Sequence, residues 1–202
     1  IMKRPASQSG YTLVESIAFI CIITMVAISI ISVVSHMLDR YKISRITAQV
    51  VELQKAINTR FASAENYEKL TAKLLKDENL APGDMNWKGN NMYHKFGGTV
   101  VVGSAYTSNA MNIRAGETYS IRFNRVPYIA CKELVTQNWA HDQYSSLVVI
   151  ISRSASLWAY WRTPSGLAPS RKHLIMPLSL SNVDDMCPNK TNRGNDLEWV
   201  FQ

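Results

Sequence analysis

The sequence predicts an α+β protein in which one long N-terminal helix carries a β-rich head. Three observations lead there. Ser16 to Leu38 contains no Asp, Glu, Lys or Arg, and Ile17 to Val34 is almost continuously Ile, Val, Ala, Phe and Met; such a run is long enough to cross a bilayer as a helix. Apolar residues then recur at Ile43, Ile46, Val50, Leu53, Ile57 and Phe61, in the steps of three and four that mark one helix face. Beyond residue 98 the chain turns to β-branched and aromatic segments separated by Gly and Asn, the composition of strands and their turns.

No proline or glycine interrupts Tyr11 to Ser63, so the two apolar patterns read as a single helix of about 50 residues, or about 80 Å. A cleaved secretory signal is excluded by length, because its apolar core is typically about 7 to 15 residues. Arg40, Arg45, Gln49, Glu52, Lys55 and Arg60 fall on the other faces of the outer half. That half is expected to lie on the head and the inner half in lipid.

Residues 64 to 98 read as a connection. YEKLTAKLLKDENL has the pattern of a short helix, and APGDMNWKGNNMYHKFGG is rich in turn formers. TVVVGSAY, TYSIRFNRV, SLVVIISR and SLWAYWR are the strands. Between the second and third, VPYIACKELVTQN predicts a helix with Pro127 at its first position and Cys131, Leu134 and Val135 on one face. A short helix is expected at SNVDDMC, capped by Ser181 or Asn182. LEWVFQ is a final strand. There is no internal repeat.

At 202 residues the chain holds one domain plus an accessory segment. Its formal charge of +7 fits nucleic acid, anionic lipid or simple solubility. Lys3 and Arg4 precede the apolar run, and Asp39, Arg40, Lys42 and Arg45 follow it, so charge alone leaves orientation open. Cys21 lies in the run and serves as a small apolar residue. Cys131 and Cys187 fall in the head without a CxxC or Cys/His cluster, so no zinc site is expected. Two cysteines so placed suit a disulfide, which requires an oxidising compartment such as the periplasm and places the head outside the cytoplasm.

Catalytic patterns are absent from the sequence. His36, His94, His141 and His173 are isolated, and there is no HExxH, GxSxG or phosphate-binding glycine loop. Asp184 and Asp185 adjoin a cysteine in a helical segment, where capping explains them. No enzyme, cofactor or metal site is expected. In SRSASLWAYWRTPSGLAPSRKH, Arg153, Arg162, Arg171 and Lys172 interleave with Trp158, Tyr160 and Trp161, a composition that can follow phosphates, stack bases or bind sugars. The plainer reading, a strand with aromatics in the core and basic residues facing water, is preferred, and nucleic acid is not an expected partner.

Glu15 stands at the edge of the apolar run. A lone carboxylate in hydrocarbon costs several kcal/mol unless it is neutralised. The simpler alternative is a carboxylate at headgroup level near a helix N-terminus, where it is electrostatically favoured.

A short basic leader ending in Gly10, followed by YTLVE with Thr12, Leu13 and Glu15, and then by a charge-free helix, resembles the class III leader and first helix of type IV pilins. Tyr11 is less usual at the first position. VPYIACKELVT, VDDMCPN and LEWVFQ make the head similar to type IVb pilins, the group that contains the toxin-coregulated and conjugative thin-pilus pilins. The resemblance implies a pilin fold in which Cys131 and Cys187 clasp the region 131–187 against an antiparallel sheet and the last strand lies within that sheet. It implies a leader, 1–10, removed after Gly10 by a prepilin peptidase that methylates Tyr11. It divides the rest into a membrane-spanning, polymerising half-helix at 11–38, an amphipathic half-helix at 39–63, and a head at 64–202. Glu15 would meet the N-terminal ammonium of a neighbouring subunit.

The function implied is that of a structural subunit. It would wait in the bacterial inner membrane and then polymerise, with the pilus assembly machinery, into an extracellular helical filament of identical subunits. Adhesion, aggregation or conjugative contact with a host or recipient cell would follow. The alternatives are a minor pilin or type II secretion pseudopilin, and a membrane-anchored binding domain that never polymerises.

Overall fold

A computed structural model describes residues 12–105, 116–139, 146–160, 173–176, 178–191 and 193–202. Helix α1 runs Leu13–Phe61. It starts where the carbonyl of Thr12 accepts the N–H groups of Glu15 and Ser16 at 3.0 and 3.1 Å, and it continues because nothing in the sequence breaks it. The chain divides into two compact units, Ile1–Tyr41 and Lys42–Gln202. In the first, the large apolar residues of α1 from Leu13 to Leu38 are exposed.

The second unit is the head. Helices α2 (Ala72–Asp77), α3 (Tyr128–Thr136) and α4 (Leu180–Met186) accompany an eight-stranded sheet. Its strands are β1 (Asn86–Lys88), β2 (Asn91–Tyr93), β3 (Thr99–Ser104), β4 (Tyr119–Val126), β5 (Leu147–Ser152), β6 (Leu157–Tyr160), β7 (His173–Ile175) and β8 (Asn195–Phe201). The spatial order is β1-β2-β3-β4-β8-β5-β6-β7. All neighbours are antiparallel except β6 and β7, which are parallel. The strand nearest the C-terminus therefore joins the two halves of the sheet.

The period-two alternation of β8 turns Leu197, Trp199 and Phe201 into the main core, where they meet the α1 stripe. All six stripe residues, Ile43, Ile46, Val50, Leu53, Ile57 and Phe61, are buried there. Full burial of side chains this size contributes roughly 1.5 to 3 kcal/mol each. A smaller cluster, Ala105, Val149, Ile151, Tyr160 and Val200, occupies the opposite face.

Polar tethers set the height of each element along the α1 residues of this unit. Tyr119 Oη donates to Asn58 Oδ1 at 2.6 Å. Gln54 Nε2 donates to Ser146 Oγ at 3.0 Å, and the Ser146 carbonyl accepts from Gln202 N–H at 2.9 Å. At the other end, Arg45 Nε donates to Asp84 Oδ2 at 2.9 Å, and Lys42 Nζ stands 5.3 Å from the Phe96 ring centre. Strands β4 and β8 extend from the Asn58 and Gln54 level for about 20 Å at 3.3 Å per residue. Arg125 and Asn195 consequently lie at the Lys42 end, the base of the head.

Several local expectations need correction. The turn-rich segment contains the hairpin β1–β2, closed by Gly89–Asn90 with Gly89 at φ 62°, as a two-residue II′ loop requires. Gln49 is fully buried, not outward, because its Nε2 donates to Asp84 Oδ1 at 3.1 Å. Pro127 takes the N-cap of α3 instead of its first turn. The cap of α4 is Ser179, whose Oγ accepts from Asn182 N–H; neither Ser181 nor Asn182 holds that place. Strand β7 was not foreseen at all.

Candidate functional site

The inner part of α1 presents a nearly uniform apolar surface. Leu13 is 79% exposed and Ile28 68%. Thr24, Ser29 and Ser35 return their hydroxyls to the carbonyls of Cys21, Met25 and Ile31 at 2.8 to 2.9 Å, so they add little polarity to that surface. Glu15 is the acidic residue of the first turn and is exposed, beside the positive end of the helix dipole. Gly10 and Tyr11, the expected processing junction, lie outside the described residues. By length and composition this helix is able to cross a membrane.

Cys131 and Cys187 are disulfide-bonded, with Cα atoms 6.0 Å apart and no exposure of either residue. The bond ties α3 to the end of α4. Around it, Asp184 Oδ1 accepts from Tyr128 Oη at 2.7 Å and pairs with Lys132 Nζ at 3.0 Å. The Tyr128 hydrogen bond, then the lysine, hold the Asp184 carboxyl below its ordinary range. Asp184 thus bridges the two helices, a role that capping does not describe. Ser152 Oγ donates to the Met186 carbonyl at 2.5 Å and locks the clasp to β5.

Of the basic and aromatic candidates, Trp158 and Tyr160 lie in β6, and Arg153 follows β5. Trp161, Arg162, Arg171 and Lys172 lie outside the described residues. Pairing places Val101, Arg122, Glu198, Ile151, Trp158 and His173 in one cross-strand row on the face away from α1. Arg153 pairs with the buried Glu198. His173, read as isolated, stands 5.6 and 5.7 Å from the Trp158 and Tyr160 rings. Tyr160 is buried and Trp158 half-buried, so these aromatics pack on the smaller cluster, as the plainer reading had it in part.

His94 is also integrated. Its Nδ1 accepts from Phe96 N–H at 3.2 Å, which leaves Nε2 to donate to the Asn124 carbonyl at 2.8 Å. Burial lowers its pKa from the ordinary 6.5, so the ring is neutral at pH 7. Asp84 is held low chiefly by the Arg45 hydrogen bond. Sequence reasoning passed over Asp84, Asn58 and Tyr119, since polar residues with distant partners leave no periodic trace. Among the described residues no group of three His, Cys, Asp or Glu is placed to hold a metal ion.

An apolar N-terminal helix, an α1 stripe buried under an antiparallel sheet and a disulfide-clasped α3–α4 region are thus joined in one chain. The family profile described as Bundlin matches residues 37–202. The chain belongs to the Bundlin family of type IVb pilins. Among solved structures, it is similar to the type IVb pilin of Salmonella typhi, with 15% identity and a TM-score of 0.49, covering 75% of this chain and 94% of that one. No curated protein matches. Membership of the Bundlin family makes the chain a pilin subunit, in a family of structural proteins, and its apolar helix is consistent with membrane anchoring.

Proposed function

We propose that this chain is the repeating subunit of a type IVb pilus, processed between Gly10 and Tyr11 by a prepilin peptidase, held in the inner membrane by residues 11–38, and polymerised through that same segment. The observation that carries the reading is the exposed apolar surface from Leu13 to Leu38, with Glu15 as its acidic group. In the membrane, lipid covers this surface. In a filament, the same residues of neighbouring subunits cover it, so the transfer exchanges one apolar surrounding for another and needs little net driving force.

Glu15 supplies what apolar packing lacks, a fixed register. Cleavage after Gly10 creates an ammonium at Tyr11, four residues before Glu15 in sequence. Contact between the Glu15 carboxylate and the ammonium of the next subunit neutralises both in low dielectric, whereas either alone is strongly unfavourable. Thr12 and Leu13 fill the stretch between cleavage site and carboxylate. Adhesion, aggregation or mating contact is then carried by the heads on the filament surface.

The test is surface-filament counting for Glu15→Ala and Glu15→Gln at wild-type membrane levels, with the Cys131–Cys187 bond as a reporter of head folding. Both variants should keep the bond and lose most filaments. Normal filaments from both would refute the role of the carboxylate, and a wild-type chain that never enters filaments would refute the subunit reading itself.

A further inference from the structure

We infer that the β2–β3 loop, residues 94–98, is a proton-operated latch that acid opens, carrying Phe96 off the core and away from Lys42 of α1. Three hydrogen bonds close the loop. His94 N–H donates to the Gly98 carbonyl at 3.0 Å, Gly97 N–H donates to the His94 carbonyl at 2.8 Å, and Phe96 N–H donates to His94 Nδ1 at 3.2 Å. The third differs from the others because its acceptor is a titratable ring nitrogen. A proton on Nδ1 turns that acceptor into a donor, so two N–H groups then face each other where one bond had been.

Nothing at the ring favours the charge. Nε2 is committed to the Asn124 carbonyl at 2.8 Å, and the residue is 1% exposed. The Phe123 and Phe96 rings stand 5.4 and 6.2 Å away, and Gly98 is so close that a Cβ there would lie 2.4 Å from Nε2, which leaves no room for the ring to turn over. Of the charged groups around the loop, Lys95 belongs to it, Lys42 and Arg45 come from α1, and Arg125 follows Asn124 in β4. The carboxylates are engaged elsewhere: Asp84 with Arg45 and Lys95 at 2.9 and 4.0 Å, Glu52 with Arg45 at 3.7 Å, and Asp196 of β8 with Arg125 N–H at 2.8 Å. Among the described residues no carboxylate reaches the imidazole. The imidazolium is therefore disfavoured inside relative to water, through burial first, with the Asn124 carbonyl offsetting part of it.

The way out is short. Lys95 and Phe96 are half-buried and Gly97 is exposed, so the loop alone lies between the ring and water. Two glycines in succession, the first at φ 81°, give the backbone the freedom to swing. Strands β2 and β3 are paired only at Met92–Val100 and Tyr93–Thr99, so the loop opens without dismantling the rest of the sheet. Phe96 moves with it, and its ring, packed on the core with Lys42 Nζ at 5.3 Å, leaves both. An opened ring titrates near its ordinary 6.5, whereas the closed ring titrates lower. Opening is thus indifferent to pH above 6.5 and is favoured progressively as pH falls from there toward the folded pKa. For a closed ring that stays neutral, the opening equilibrium grows about 30-fold between pH 7.5 and pH 5.

The experiment is hydrogen exchange of the full chain in detergent at pH 7.5, 6 and 5, with each rate divided by the intrinsic rate at that pH. Protection in the peptide covering 93–98 should fall about 10- to 30-fold from pH 7.5 to pH 5, while β8 keeps its protection within about threefold. His94→Gln, whose amide offers an acceptor and a donor that do not titrate, should lose the pH dependence. In the triple variant His36→Gln, His141→Gln, His173→Gln, which leaves His94 as the single imidazole, the acid opening should persist. The Cε1–H resonance of His94 should titrate there below 6.5, over the same range in which protection falls. Equal protection at pH 7.5 and pH 5, a fall that survives in His94→Gln, or a fall matched by β8 overturns the inference. Should His94→Gln not fold, the triple variant decides alone: constant protection, or a His94 resonance that titrates at or above 6.5, overturns it.

Discussion

Gly98→Ala should be among the most damaging methyl additions in the head. Gly98 closes the loop between β2 and β3, where its carbonyl accepts from His94 N–H at 3.0 Å. A Cβ at residue 98 would fall 1.8 Å from the Asn124 oxygen, 2.4 Å from His94 Nε2 and 2.9 Å from the Asn124 carbonyl carbon. The two nearest atoms are acceptor and donor of the buried 2.8 Å hydrogen bond. Relief requires β4 backbone or the imidazole to move by more than an ordinary contact allows. Losing the bond and stranding its partners costs roughly 1 to 3 kcal/mol, and overpacking against backbone costs roughly 1 to 3 kcal/mol more.

The summed loss should be about 2 to 6 kcal/mol. Urea unfolding of the full chain in detergent, followed by tryptophan fluorescence at pH 7.5, measures it. Gly103→Ala is the internal control, because its nearest atom, the Leu70 carbonyl oxygen, lies 3.9 Å away. That variant should be unchanged or up to about 1 kcal/mol more stable, through the smaller entropy of its unfolded chain. A Gly98→Ala protein within about 0.5 kcal/mol of wild type, or a Gly103→Ala protein equally damaged, would refute the reasoning.

Replacing Cys131 and Cys187 together by Ser opens a loop with a sequence separation of 56 and should cost about 4 kcal/mol by the chain-entropy relation; urea midpoints check this, and limited proteolysis should then cut first between α3 and α4. For His94, burial lowers the folded pKa below the ordinary 6.5, so the unfolded chain binds the proton more readily. The contribution of the neutral ring is complete above pH 6.5 and is lost as pH falls toward the folded pKa. The stability difference between pH 7.5 and pH 5 should shrink in His94→Gln, and an undiminished difference would assign it to other groups.

What could be read from the chain was periodic. The six apolar residues from Ile43 to Phe61 announce their burial because a helix repeats a face every three or four positions, and all six are in the core. β4 and β5 are legible for the matching reason, an unbroken supply of β-branched and aromatic residues. Gln49 and Gly98 are illegible because each answers to a residue distant in sequence, Asp84 and Asn124. The β1–β2 hairpin did carry a signal, Gly89–Asn90, but strands of three residues cannot build a pattern around it. Ser179 was hidden by Leu180, which is 82% exposed and so belongs to no buried face. At the candidate site, Glu15 stood out by contrast with its apolar surroundings, whereas the Asp184 bridge to Tyr128 and Lys132 exists only after α3 and α4 are set side by side.

The position of β8 also orders events in time. Residues 195–201 are made after the other described strands, yet they lie between β4 and β5, and among the described strands no other joins those halves. During synthesis the front half can form a β1–β4 sheet whose inner edge is open, and among the described strands β5 to β7 then have no partner beyond themselves. The apolar face of α1 cannot be fully covered until Leu197, Trp199 and Phe201 arrive. Closure is thereby postponed until β8 has been made and becomes a late step between strands far apart in sequence, as between Tyr119 and Phe201. A chain whose β8 has not yet docked has two open sheet edges in reach of its neighbours, so that interval is when a chaperone would have the most to protect.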